Sequence, residues 1–423
     1  MMLAQALLLA AALAAPPEAA APPAGGIERV TFAEAVRRAM ARNTSTVVSA
    51  EEIRRADGFV GEVASQSLPT LGVTGTLTRL DSDRTSGGRV VLPAGQANGT
   101  GLLALPLVAP SRWAQWAHAS QALDATVASD ASVRRTVAIS AGRTYLSIVA
   151  QRRAVEVSQL AVQTSKAHFD YAFERRRGGV GNALDVSRAE QELAASQVQL
   201  EAAYVLLVRG QEALGQLCGE NRPLDAADVP GLPDLPDQAQ ALNESESRAD
   251  VKAAAATAYV ASRVYKDSWT DWLPNLLGTL QGFIQDPATL TTPTQGWQAQ
   301  LVFSWTLFDG WLRPSQLKER DALSKEADAQ LDGVQRQARS EVRTAIEALR
   351  RSRTAYEAAR RGADSAQQAL DLSNQAYRAG AVDNLAVTDA EQRARNAALI
   401  AVIAEDSVRQ SILDVLSAAG RFP

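Results

Sequence analysis

The side chains suited to metal or covalent chemistry are few in this chain. His118 and His168 are its two histidines, Cys218 is its one cysteine, and all three stand far apart in the sequence. There is no G-x-S-x-G, no phosphate-binding G-x-x-x-x-G-K-[ST], no H-E-x-x-H and no cysteine-based metal spacing. Nothing therefore presents a nucleophile beside a base, or a ligand set. The chain reads as a non-enzyme with no cofactor and no metal. Both histidines are expected as solvated or packed helix residues, and Cys218 as a small buried residue near a helix end. A lone cysteine allows no intramolecular disulfide. The formal net charge of −4 gives no strong pull toward nucleic acid. Arg175-Arg176-Arg177 reads as the solvated basic end of a helix, or as a contact for an acidic partner.

A more informative pattern is a break made twice. RRRGGVGNALDVSRAEQ (175–191) and YRAGAVDNLAVTDAEQ (377–392) each interrupt a long Ala-rich helical pattern. With Gly179 set against Gly380, the pairs Arg177/Arg378, Leu184/Leu385, Val186/Val387, Ala189/Ala390, Glu190/Glu391 and Gln191/Gln392 are identical. Around these breaks the elements repeat in order. Thr31 opens a helix with Glu34 as a capping box, and helical pattern continues to about Gln66. Leu68-Pro69-Thr70-Leu71 then turns the period from 3.6 to 2, and Leu273-Pro274-Asn275-Leu276 mirrors it in the second half. The chain divides into a signal peptide at 1–21, a first repeat at 27–218 with strands near 69–80 and 99–107, and a Pro-rich linker at 219–244. A second repeat occupies 245–423, with strands near 274–284 and 297–308. This is an internal duplication.

The N-terminal run Leu3 to Ala15 has the length of a signal-peptide apolar core and is too short to span a bilayer. It has no basic flank, and the alternative is a disordered Ala/Pro tail. Elsewhere no apolar run approaches the ~18 residues a spanning helix needs, so any crossing must use strands. In PTLGVTGTLTRL, Leu71, Val73 and Leu77 alternate with threonines. In WQAQLVFSWTLF the apolar residues from Trp297 to Leu307 alternate with Gln, Ser and Thr. Trp297 and Trp305 sit toward the two ends of the fourth strand, as an interfacial aromatic belt would place them. A small soluble sheet capping a helical stalk is the alternative. Four spanning strands cannot close a barrel, so the chain must oligomerise; two copies give eight strands and a filled bore, three give twelve and a lumen. A conduit argues for three.

Ser111 to Glu174 and Arg313 to Arg378 each predict roughly 95 Å of helix. The second carries a 3-4 seam at Val342, Ala345, Leu349, Ser352, Tyr356, Ala359, Ala363, Ala366, Leu370, Ser373 and Tyr377. Apolar residues of the first spread over a wider face, which suits two seams or imprecise patterning.

The LPTL and LPNL turns, the LFDGW stretch (307–311) and the paired glycine breaks with their A-E-Q tails make the chain resemble the TolC-like outer-membrane efflux protein family, over nearly its whole length from Thr31. The resemblance implies a mainly α fold with a small β part. It implies a homotrimer whose twelve-stranded barrel sits in outer-membrane lipid of a Gram-negative bacterium, continuous with a helical periplasmic tunnel. It implies a passive exit duct of a tripartite efflux or type I secretion system, supplied by an inner-membrane pump and a periplasmic adaptor. The glycine breaks then become hairpin tips, with Gly179, Val180, Gly380 and Ala381 at the adaptor-docking turns. An acidic aperture would come from Asp389, Asp383 and Asp185. The best-known members carry aspartates six and nine positions after the second glycine, and here those positions are Ala386 and Asp389. The position of an Arg that locks the closed state in some members holds Val382. The alternative function is a soluble coiled-coil scaffold with a small capping sheet.

Overall fold

The computed structural model describes residues 27–231, 233–289 and 292–422; the expected signal peptide at 1–21 lies outside them. In chain order the elements are β1 (Glu28–Val30), α1 (Phe32–Arg42), α2 (Thr44–Ser65), β2 (Thr70–Arg79), β3 (Arg84–Ser86), β4 (Arg89–Leu92) and β5 (Gly95–Val108). Then come α3 (Pro110–Arg177), α4 (Ala183–Leu217), β6 (Leu224–Ala226), α5 (Gln238–Ser245), α6 (Ala249–Lys266) and a 3-10 turn at Asp267–Trp272. The chain ends with β7 (Asn275–Asp286), β8 (Gln295–Ser304), α7 (Leu312–Arg378) and α8 (Asn384–Ala419). The protein is mainly helical with a small sheet part. Among the described residues no helix is long and apolar enough to cross a membrane.

α3 and α7, of 68 and 67 residues, each run about 100 Å. The α7 seam read from the sequence is real: none of its eleven positions is exposed, and Val342, Ala345, Leu349, Ser352, Leu370 and Tyr377 are buried. α8 lies along this seam. α3 is flanked on several sides, by α1, α2, α4, α6 and α8. That accounts for its wide apolar face. Among the described residues the thickest core forms at mid-length, where α1, β1 and β6 close over α3. There Tyr145, Ile148, Leu214, Cys218 and Leu224 are fully buried, and burial pushes the Cys218 thiol up to about 11. Leu146, Leu413, Leu416 and Phe422 continue it across to α8.

Five features differ from the sequence expectations. The first helix is two: Asn43 takes an extended conformation, caps α2 by accepting from the Ser45 N–H at 2.9 Å, and donates to the Leu217 carbonyl at 3.0 Å. Its break is thus fixed by a contact with the far end of α4. The capping box is half made. Thr31 accepts from the Glu34 N–H, but the Glu34 carboxylate turns to Arg37 and Arg38 instead of reaching back. β5 is longer than expected because it is paired along both edges, with β2 and with β7, and the polar stretch before it forms the β3–β4 hairpin. β8 ends at Ser304, so Trp305 lies past the strand, donating from Nε1 to the Trp272 carbonyl at 3.1 Å. The Pro-rich linker also holds β6, paired in parallel with β1, and most of α5.

The large sheet has the order β2-β5-β7-β8, all antiparallel, with β2 and β8 as its two edges. Register lines the sides up across all four strands. Leu71, Leu103, Leu280 and Ala299 share one face, and so do Val73, Gly101, Gly282 and Trp297. The opposite face carries Thr70, Ala104, Thr279 and Gln300 in one row, and Leu102, Gln281 and Gln298 in the next. Gln298 donates to Gln281 at 2.7 Å across that face. The apolar face is bare: Leu71, Val73, Leu77 and Trp297 are 75%, 82%, 87% and 75% exposed. An apolar surface this open needs an apolar environment.

The passage from β8 into α7 is held by one arginine. Buried Arg313 donates to Asp309 and to the carbonyls of Thr306 and Asp271, and stacks 4.5 Å from the Trp272 ring centroid. Gly310 and Trp311 both have positive φ, which is unusual for a bulky residue and is carried here by that knot of contacts.

In the mid-length core, the Tyr145 hydroxyl donates to the Asp228 carboxylate at 2.8 Å and accepts from the Asp228 N–H at 3.3 Å. Tyr145→Phe is expected to cost about 1–2 kcal/mol, read as a lower midpoint of denaturant unfolding in detergent. An unchanged midpoint would show that the hydroxyl contributes nothing.

Candidate functional site

The two glycine breaks are helical hairpin turns built alike. α3 ends with Gly179 in the left-handed region at φ +78, α7 with Gly380 at φ +75. In the first, the Val180 N–H reaches the Arg175 carbonyl and the Gly179 N–H reaches that of Arg176, both at 3.0 Å. In the second, Ala381 reaches Ala376 at 2.8 Å and Gly380 reaches Tyr377 at 3.0 Å. Both turns are therefore Schellman ends, which need a residue free of Cβ strain at the left-handed position. Each next helix starts on a side-chain cap: Asn182 accepts from the Leu184 N–H, and Asp383 from the Ala386 N–H at 3.0 Å. The turns differ most in room two positions after the left-handed glycine. A Cβ on Gly181 would lie 2.6 Å from Arg176 N, whereas its counterpart is the exposed Val382.

The expected tip residues fall in distinct environments. Val180 and Ala381 are exposed at the two turns. Asp383 is exposed and commits one carboxylate oxygen to its helix cap. Asp389 is exposed and pairs with Arg393 of its own helix at 2.9 Å. Asp185 is half-buried in the first turn of α4, and its carbonyl accepts from the side chain of Asn384 at 3.0 Å. Arg175, from the basic run, lies over Tyr377 at 5.0 Å and Tyr171 at 5.9 Å, while Arg177 pairs with Glu174. Trp297 is on the exposed apolar face of the sheet.

What sequence reasoning missed is the set of buried polar contacts joining the two hairpins. His168 of α3 is buried, with Nε2 at 2.6 Å from Asn384 Oδ1 and Nδ1 at 3.2 Å from the Glu391 carboxylate. Arg395 of α8 donates to Glu192 and, at 2.9 Å, to Ser196 of α4; Ser196 in turn meets Ser165 of α3 at 3.0 Å. The Tyr377 ring packs edge-on against His168 and Tyr171, with centroids 5.8 Å away in each case. Glu391 matches Glu190 in the sequence repeat, yet Glu391 is buried and Glu190 exposed. His118, the other histidine, is half-buried against Asp267 at 3.0 Å. The partners of Glu391 and Arg395 lie some two hundred residues away, out of reach of any local pattern.

A paired set of capped helical turns can move, dock or constrict; it presents no reacting group. Gly380→Ala is expected to cost about 1 kcal/mol, because its Cβ meets no neighbour and the strain is confined to the positive φ. Faster amide hydrogen exchange at 376–386 would register it, and unchanged exchange would contradict it.

A family model described as outer membrane efflux protein matches residues 35–220 and 240–421. No individually curated protein matches the chain. Among solved structures, a membrane protein from Pseudomonas aeruginosa superposes with a TM-score of 0.81 at 20% identity, covering 93% of this chain and 91% of that one. The outer membrane protein VceC of Vibrio cholerae gives 0.79 at 18%, covering 92% and 96%. The open state of the Neisseria gonorrhoeae MtrE outer membrane channel gives 0.77 at 18%, covering 92% and 88%. At these identities the likeness concerns the fold.

Proposed function

This chain belongs to the outer membrane efflux protein family, and from that premise we propose that three copies join their four-stranded sheets into a twelve-stranded barrel continuous with a helical periplasmic tunnel. The protein is an outer-membrane efflux duct. Membership sets aside the soluble coiled-coil scaffold. The observation that carries the trimer is the large sheet itself, apolar and bare on one face, Thr/Gln-rich on the other, with unpaired edges at β2 and β8. Lipid tolerates no open strand edge, so the edges must meet those of other copies. Three copies give twelve strands and an open bore, with the Thr/Gln face lining it and the apolar face, Trp297 included, toward lipid.

In that arrangement the chain is two tandem repeats, each giving two strands and one long hairpin. The helices carry the bore through the periplasm, and the Gly179 and Gly380 turns stand at its far end. A periplasmic adaptor docks on those turns at Val180 and Ala381, and an inner-membrane pump supplies both cargo and energy. Passage through the duct is passive. Asp389, with Asp383 and Asp185, forms the acidic aperture, repeated three times around the axis.

Purified protein reconstituted in planar bilayers is expected to conduct, and to migrate as a trimer in native gels. Recovery in a soluble cytoplasmic fraction would overturn the duct. Asp389→Ala is expected to weaken block by multivalent cations added on the tip side by about tenfold, the scale of losing one ring of charge. Unchanged block would remove Asp389 from the aperture.

A further inference from the structure

The contacts of His168 fix its charge by geometry. The Asp185 carbonyl can only accept, so the Asn384 side chain must turn its NH2 toward it, at 3.0 Å. That leaves Asn384 Oδ1, an acceptor, facing His168 Nε2 at 2.6 Å. The Glu391 carboxylate, also an acceptor when ionised, faces Nδ1 at 3.2 Å. Both ring nitrogens therefore need a proton, and only the imidazolium carries two. A neutral ring satisfies one contact and sets lone pair against lone pair at the other. Flipping the Asn384 amide merely moves that conflict to the Asp185 carbonyl.

We propose that His168 is a protonation latch between the two hairpins: charged, it ties α3 to the start of α8, and on losing its proton it lets the α7–α8 tip part from the α3–α4 tip. The groups facing it come from all four helices: Tyr171 and Arg175 from α3, Asp185 and Glu192 from α4, Tyr377 from α7, and Asn384, Glu391 and Arg395 from α8. Within the buried set, Glu391 and Glu192 are balanced by Arg395 and the imidazolium. Deprotonation leaves one carboxylate uncompensated, with almost no water to screen it. Burial by itself pulls the His168 pKa down, but the hydrogen bond and charge of Glu391, helped by Asn384 and Glu192, outweigh it and leave it above the ordinary histidine value. A histidine raised in the folded state adds stability that is complete below its unfolded value of about 6.5 and is lost as pH climbs through the folded value. The latch is therefore shut below the ordinary histidine value and released as pH climbs through the raised folded value. Its meaning for conduction rests on the reading of these turns as the far end of a trimeric duct.

Two measurements on the full-length protein test this separately from that reading. With two histidines in the chain, 13C-histidine labelling gives two signals, and His118→Asn assigns them. His168 is expected to titrate above the ordinary histidine value of about 6.5, and a titration below it overturns the latch. For movement, Val382→Cys carries a spin label on the exposed turn, since Cys218 is fully buried. Distances between labels in the trimer are expected to lengthen by about 5 Å between about pH 6 and 9, and to be long at both in His168→Gln. Unchanged wild-type distances overturn the release. Absence of any label pair within range counts against the trimer alone, and the histidine titration still judges the latch. Should His168→Gln fail to fold, the wild-type series decides by itself.

Discussion

Hydrocarbon offers a backbone amide no partner, and this constraint governs the molecule from the sheet downward. β5 and β7 are paired on both sides, whereas β2 and β8 each have one side bare. A sheet so made is stable in lipid only when its edges find other edges. The proposed ring follows, and the ring sets the spacing at which the helices must leave it. The knot of Arg313, Asp309 and Trp272 fixes that exit, holding two successive residues at positive φ so that a strand can turn into a helix about 100 Å long.

The long helices obey a different economy. Their seams are filled with Ala and Ser, which bury little area each and let backbones approach closely. Among the described residues the thickest core is the belt around Tyr145 and Leu214, and it lies far from both ends. At the hairpin ends the chain uses buried ions and polar groups where it could have used leucine. Such groups give little net stability but hold specific partners, and breaking one leaves the other stranded. That suits a place where two hairpins must be joined in one state and separable in another.

Much of this was legible in the sequence because it is local. The α7 seam depends on residues three and four apart, the hairpin turns on a glycine and a cap, and the β2 and β8 faces on simple alternation. The rest depends on distant partners. At Asn43 the local N-cap signal is reinforced by a bond to the Leu217 carbonyl that no local pattern reveals. β5 reads weakly because pairing on both sides, not its own pattern, sets its length. Trp305 continues the alternation of β8 but leaves the strand to meet Trp272. The repeat itself misled at one point, since Glu190 and Glu391 are the same letter in matching positions and only one is buried. The His168 cluster was invisible for the plainest reason: its members are 216 and 223 residues away along the chain.

The bare edges of β2 and β8 also bear on inheritance. In the proposed ring every copy supplies both of its edges to neighbours, so one misshapen subunit spoils a whole barrel. In a cell making intact and damaged chains in equal amounts, random assembly leaves only about one ring in eight wholly intact. A lesion confined to a sheet edge so severe that the chain never joins would spare its neighbours. A milder one, still able to join, would be dominant.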